Sequence, residues 1–219
     1  MENYVVLDLE MCKVPKKCRT KEFHWATETI QIGAVKLNEE YEVIDEFSTY
    51  VTPRFGALTR DITRLTGIHQ SDLEGAPDIR EAFELFHNWL PEDPVLVAWS
   101  ETDFHQISYE VRGKDLDYGF LLRYKWIDCQ DLFDKKVEAE RNYSLENALN
   151  VSDINYRDGI HNGLVDAYNT ALLFGKLQKD PDYPLNPYYV KLNADTQEED
   201  HLSSSMGNLF AGLDLSGLK

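Results

Sequence analysis

Asp8 and Glu10 stand two residues apart in an apolar run over residues 4–10. Side chains alternate along an extended strand, so Val6, Asp8 and Glu10 share one face while Val5, Leu7, Leu9 and Met11 take the other. Two carboxylates held that close repel each other and resist joint ionisation. A divalent cation resolves the conflict. With 39 acidic residues among 219, an acid-x-acid pair arises by chance about 7 times, so the spacing carries little until its setting in an apolar strand is added. Asp103 follows a second apolar run, residues 94–99, and falls in the first turn of a helix, where the helix dipole alone favours an acid. Glu101 competes for its role, although position favours Asp103. His161 and Asp166 are separated by four residues at the start of a long helical pattern. Alone, His161 reads as an exposed loop histidine; the other five histidines have no comparable framework.

The elements that must position these residues follow from periodicity and punctuation. Residues 29–37 and 41–51 read as second and third strands joined by a turn at Asn38-Glu39-Glu40. Thr59 caps a short helix to about Thr66, and Pro77 precedes a helix carrying Ile79, Phe83, Phe86, Trp89 and Leu90. Residues 94–99 and 126–129 read as further strands, Ser100 or Thr102 and Ser144 as helix caps, and residues 162–177 as the last long helix. Three strands in series followed by strands alternating with helices predict a mixed α/β layer fold.

Four such signals in this order resemble the DEDDh, or DnaQ-like, family of 3′–5′ exonucleases. The neighbouring text agrees: Thr29-Ile30-Gln31-Ile32-Gly33 resembles the family's second strand, and Leu65-Thr66-Gly67-Ile68 its threonine-glycine-isoleucine turn. Ser144-Leu145-Glu146 and His161-Asn162-Gly163-Leu164-Val165-Asp166 are similar to the Eri subgroup, which trims the 3′ ends of small and structured RNAs. The resemblance covers roughly residues 3–178. It implies an RNase H-like three-layer α/β fold with a central mixed five-stranded sheet, and an exonuclease domain over residues 1–180. It also implies a two-metal-ion mechanism that releases nucleoside 5′-monophosphates from RNA or short oligonucleotides. Asp8, Glu10, Asp103 and Asp166 then hold two Mg²⁺ or Mn²⁺ ions, whose preference is for hard carboxylate oxygens. His161 takes the proton from the attacking water, Met11 and Cys12 line the terminal-nucleotide pocket, and Leu65 wedges there. A DNA exonuclease of the proofreading or repair type, or a non-catalytic regulatory protein on the same fold, are the alternatives.

Composition limits the partners. A net charge of −17 argues against broad electrostatic binding of nucleic acid. Lys13, Lys16, Lys17, Arg19 and Lys21 nevertheless put five positive charges into nine residues beside the first strand, with Phe23 and Trp25 after them. That loop suits the backbone and unstacked bases of a single strand, and the resemblance to the Eri subgroup implies single-stranded 3′ ends of RNA ahead of DNA as partners. No run is long and apolar enough for a membrane, and three cysteines without paired spacing suit a reducing cytoplasm. Residues 181–219 read as a proline-rich linker and an acidic, partly apolar tail. Leu209, Phe210 and Leu213 there are spaced to dock as a helix on a partner protein or on this domain.

Overall fold

The computed structural model describes residues 3–139, 142–159 and 161–196. β1 (Asn3–Lys13), β2 (Thr27–Leu37), β3 (Val43–Tyr50), β4 (Pro94–Ala98) and β5 (Lys125–Asp128) form one sheet in the order β3-β2-β1-β4-β5. β1 pairs antiparallel with β2 and parallel with β4, so the acid-bearing strand is central and the sheet is mixed, as expected.

Alternation along β1 builds both cores. Val5, Leu7 and Leu9 pack with Ile32 and Ala34 beneath α3 (Ile79–Trp89), which buries Phe83 and Phe86. Val6 faces the other way, with Val35 and Val97 under α5 (Cys129–Val137), α6 (Leu145–Val151) and α7 (Gly163–Lys179). Helices on both sides of the sheet make three layers. Burying a side chain such as Phe174, which has no exposed surface, contributes about 1.5–3 kcal/mol. Asp8 and Glu10 fall on the Val6 side and therefore face α7.

The local signals act as read. Thr59 caps α1 (Arg60–Thr66) through a hydrogen bond from the Ile62 N–H, and Gly67, at φ 72°, ends it in the left-handed region. Ser100 caps α4 (Glu101–Gly113), Ser144 caps α6 and Asn162 caps α7. In the β2–β3 turn the Asn38 side-chain oxygen accepts from the Glu40 and Glu42 N–H groups.

Two helices escape the sequence reading: the single turn α2 (Gln70–Leu73) and α8 (Pro187–Thr196). Folding continues past residue 180, where a linker was expected. Tyr183 is buried with its hydroxyl 2.6 Å from Ser152 Oγ, the Asn186 N–H donates to the Val151 carbonyl, and Tyr189 and Val190 pack on the second core. The prolines misled because Pro187 opens a helix, where its missing N–H costs nothing. The tail residues Leu209, Phe210, Leu213, Leu215 and Leu218 lie outside the described residues.

Candidate active site

β1 delivers the first two acids. Glu10 is 2% exposed, while Asp8 keeps part of its surface. The sheet register shifts between Glu10 and Met11, a bulge of the kind that re-aims side chains beside functional sites.

α7 reaches these acids because glycine stands on both sides of the contact. Gly33 pairs with Asp8 in the sheet, and a Cβ on it would collide with the Gly163 backbone. A Cβ on Gly163 would in turn stand 3.0 Å from the Asp8 carbonyl oxygen. The Gly163 N–H donates to Gln31 Oε1 at 3.1 Å, fastening the start of α7 to β2. Asp166, one turn into the helix and 7% exposed, is thereby brought onto the sheet. One oxygen each of Asp8, Glu10 and Asp166 lie within 4.8 Å of one another.

Asp166 also fixes the loop before it. Its Oδ2 accepts from the His161 N–H at 2.9 Å, with His161 held at φ 71°. Buried Asn169 hooks the same loop through reciprocal hydrogen bonds with the Arg157 backbone. His161 is half-buried, and desolvation lowers its pKa from the ordinary value near 6.5, with Glu146 opposing. Asp103 enters from α4, 4% exposed, its Oδ1 accepting from the Leu9 N–H at 2.9 Å. Glu101, the competitor, is exposed and lies 3.8 Å from His105. The structure thus brings Asp103 to β1 and leaves Glu101 outside.

Electrostatics set this group apart. Desolvation, reinforced by the neighbouring acids, raises the pKa values of Asp8 and Glu10 well above their ordinary values. Desolvation brings Asp103 to about 7 against the Leu9 hydrogen bond, and Asp166 to about 7 against that of His161. Glu10 Oε2 and Asp166 Oδ1 are buried without a hydrogen-bond partner. Buried anionic oxygens without partners are costly, and a hard divalent cation is the ligand this donor set fits.

The expected substrate contacts divide. Lys16, Lys17 and Lys21 are exposed on the β1–β2 loop, whereas Lys13 is partly covered. Arg19 is half-buried and donates from Nε to the Val14 carbonyl, so it braces the loop instead of projecting from it. Leu65 is half-buried and Met11 is 3% exposed. Cys12 has no exposed surface and packs with Ile30, Ile62, Ile68 and Leu73. Its side chain belongs to that core.

Beneath that loop lies a polar cluster the sequence reading missed. Glu28, fully buried, accepts from the Arg54, Phe55 and Gly56 N–H groups and from Lys114. Lys114 Nζ also lies 2.8 Å from Glu110 Oε2, while Glu110 Oε1 accepts from the Thr29 N–H and Gln106. Helical spacing of Gln106, Glu110 and Lys114 was the available signal; their partner, 86 residues from Lys114, was not readable from spacing.

Comparison with known proteins agrees with this geometry. The RNase_T family model, described as Exonuclease, matches residues 5–174. The chain is 26% identical to ERI1 exoribonuclease 2 of Xenopus laevis over 201 residues, which cover 80% of this chain and 28% of that protein. It is 28% identical to the PolC-type DNA polymerase III of Bacillus subtilis over 197 residues, covering 88% of this chain and 12% of that one. The chain thus spans well under a third of the length of these relatives. Among solved structures, the nuclease domain of 3′hExo, a DEDDh family member bound to rAMP, superposes with a TM-score of 0.67 at 20% identity, covering 84% of this chain and 96% of that one. The RNase H-like fold is therefore shared. With the acids, the histidine and the family model in agreement, the chain belongs to the RNase_T exonuclease family.

Proposed function

We propose that the protein is a metal-dependent 3′–5′ exonuclease that hydrolyses phosphodiester bonds from the 3′ end of RNA or short oligonucleotides, releasing nucleoside 5′-monophosphates. The observation that carries this reading is the convergence of buried, partly unpaired carboxylates from β1 and α7, with His161 tied to one of them.

Asp8, Glu10, Asp103 and Asp166 are the residues that would hold two Mg²⁺ or Mn²⁺ ions. Bound there, the ions would acidify a water and neutralise charge on the phosphate and departing 3′ oxygens. The protein's own contribution is placement and proton handling. Desolvation keeps the His161 imidazole neutral at pH 7, so a ring nitrogen is free to accept the proton of the attacking water. Asp166 and Asn169 fix the loop that carries it. Met11 and Leu65 are proposed to flank the terminal nucleotide, and the exposed lysines Lys16, Lys17 and Lys21 to meet its backbone. Three free thiols, two of them buried, are consistent with a cytoplasmic location.

The match to ERI1 exoribonuclease 2 supports RNA as substrate, whereas the match to a PolC-type polymerase supports a DNA reading. A time course on 5′-labelled RNA and DNA oligonucleotides of one sequence, with Mg²⁺, Mn²⁺ or EDTA, separates them. We expect 3′-shortened ladders, faster on RNA, and none in EDTA. Equal rates on both sugars would remove the RNA preference. Cleavage undiminished in EDTA would remove the metal-dependent reading.

A further inference from the structure

The chain's charge is segregated. Residues 13–26 and 52–66 carry eight of its 22 Lys and Arg but only two of its 39 Asp and Glu, Glu22 and Asp61. The fold lays these segments side by side at the carboxyl end of β1. The Ala57 N–H donates to the Lys13 carbonyl, and Phe23 stacks on Phe55 with ring centroids 5.1 Å apart. They are also fastened from below. Three consecutive N–H groups, of Arg54, Phe55 and Gly56, converge on buried Glu28, and Lys114 sits 5.3 Å from the Phe23 ring. Lys16, Lys17, Lys21, Arg54, Arg60 and Arg64 are exposed on this braced surface. Arg60 and Arg64 lie one turn apart on α1; the Asp61–Arg64 ion pair at 3.4 Å is exposed and weak. Half-buried Trp25 lies between His24 and Tyr109, stacked at 4.2 and 5.0 Å, and continues the surface onto α4, whose first turn carries Asp103.

We propose that the loop after β3 and helix α1, through Arg54, Arg60 and Arg64, form with Lys16, Lys17 and Lys21 a phosphate-binding saddle for the single strand on the 5′ side of the scissile bond. The inference rests on the exonuclease reading and adds the arginines, which take the site beyond the terminal nucleotide. Charge complementarity argues for a polyanion: on a chain of net charge −17, a strand excluded elsewhere is admitted here. Partly exposed rings and continuity with β1 favour nucleic acid over an anionic membrane. The saddle makes affinity depend on strand length, because a dinucleotide cannot reach it.

Binding in EDTA tests the saddle without turnover. Fluorescently labelled single strands of 2 and 12 nucleotides are titrated against wild type, against Arg54→Gln/Arg60→Gln/Arg64→Gln, and against a control, Arg123→Gln/Lys135→Gln/Lys179→Gln, which removes the same three charges from exposed positions elsewhere. Circular dichroism confirms that each variant folds. We expect the 12-mer to bind wild type at least about tenfold more tightly than the dinucleotide. The triple variant should lose that advantage and lower the salt slope by about 2, at about 0.7 per phosphate contact; the control should retain both. An unchanged slope in the triple variant, an equal loss in the control, or loss of binding to anionic vesicles without loss of 12-mer binding would overturn the proposal. Failure of the exonuclease reading shows separately, as absent cleavage with Mg²⁺ by a protein whose 12-mer binding is intact.

Discussion

Two clusters of buried carboxylates share helix α4, and they are built on opposite principles. At its third turn Glu110, together with Glu28 of β2, is answered by the Lys114 ammonium, by Gln106 and by four backbone N–H groups. At its first turn Asp103 joins Asp8, Glu10 and Asp166, and among the described residues no ion pair answers any of the four. Backbone N–H groups help in places, Leu9 donating to Asp103 and His161 to Asp166. The fold therefore has the means to neutralise buried acid, and applies it where loops are braced. Burial raises the proton affinity of Glu110 as well, but there the Lys114 ammonium opposes the rise. Where β1 meets α7 the neighbouring acids of Asp8 and Glu10 add to it, and among the described residues no ion pair opposes it. The first cluster braces the fold; the second, on the proposed reading, is a metal-binding centre held ready at a cost in stability.

The sharpest way to separate them is to remove one member from each. Asp166→Ala should lower turnover on the order of 10⁴-fold or more, because residues of one centre act as a unit, while the urea midpoint stays level or rises. Initial rates at saturating Mg²⁺, with denaturation in parallel, check this. Lys114→Met should do the reverse in kind. It strands two buried carboxylates, so unfolding should become easier by about 3–5 kcal/mol, read as the shift in urea denaturation. If Lys114→Met were harmless, the bracing role would be wrong.

His161→Ala tests a residue that belongs to the second cluster without being an acid. The rate constant should drop about 10²–10⁴-fold, with a smaller change in the Michaelis constant. The acid limb of the wild-type profile should lie below pH 6.5, because desolvation lowers the imidazole pKa and the base form persists to lower pH. A limb at or above 6.5 that survives in His161→Ala would assign the proton to another group. The smallest effect belongs to the scaffold between the clusters. Gly33→Ala forces its Cβ against Gly163, and a shift of α7 by about 1 Å should cost on the order of 10²-fold in rate. Full activity in that variant would show that the close approach is dispensable.

How much of this was legible depended on distance along the chain. The shared face of Asp8 and Glu10 follows from strand alternation alone, and the caps at Thr59 and Ser144 from local hydrogen-bonding chemistry. Asp103, His161 and Asp166 became legible through their order and the text around them, not through any one spacing. The Gly33–Gly163 contact and the Gln31 hydrogen bond to Gly163 join positions about 130 residues apart. No periodicity encodes them. Arg19 shows a related limit: composition gives its charge, but only the fold turns its Nε toward the Val14 carbonyl. Pro187 shows another, since the same residue type ends one helix and opens the next.

The central claim is that the four acids are left unpaired because divalent cations complete them, and thermal unfolding of the metal-free protein measures it directly. Asp103 and Asp166 titrate near 7 in the folded state against 3.8 for the ordinary side chain. Between those values the folded protein binds more protons than the unfolded one, so the stability these groups contribute is present below about pH 4 and lost as pH rises through about 7. Cations compete with the protons. Mg²⁺ or Mn²⁺ should therefore raise the wild-type Tm more at pH 7.5 than at pH 5.5, and should barely move the Tm of Asp166→Asn at either pH. No increase in wild type at pH 7.5, or the same increase in Asp166→Asn, would contradict the account.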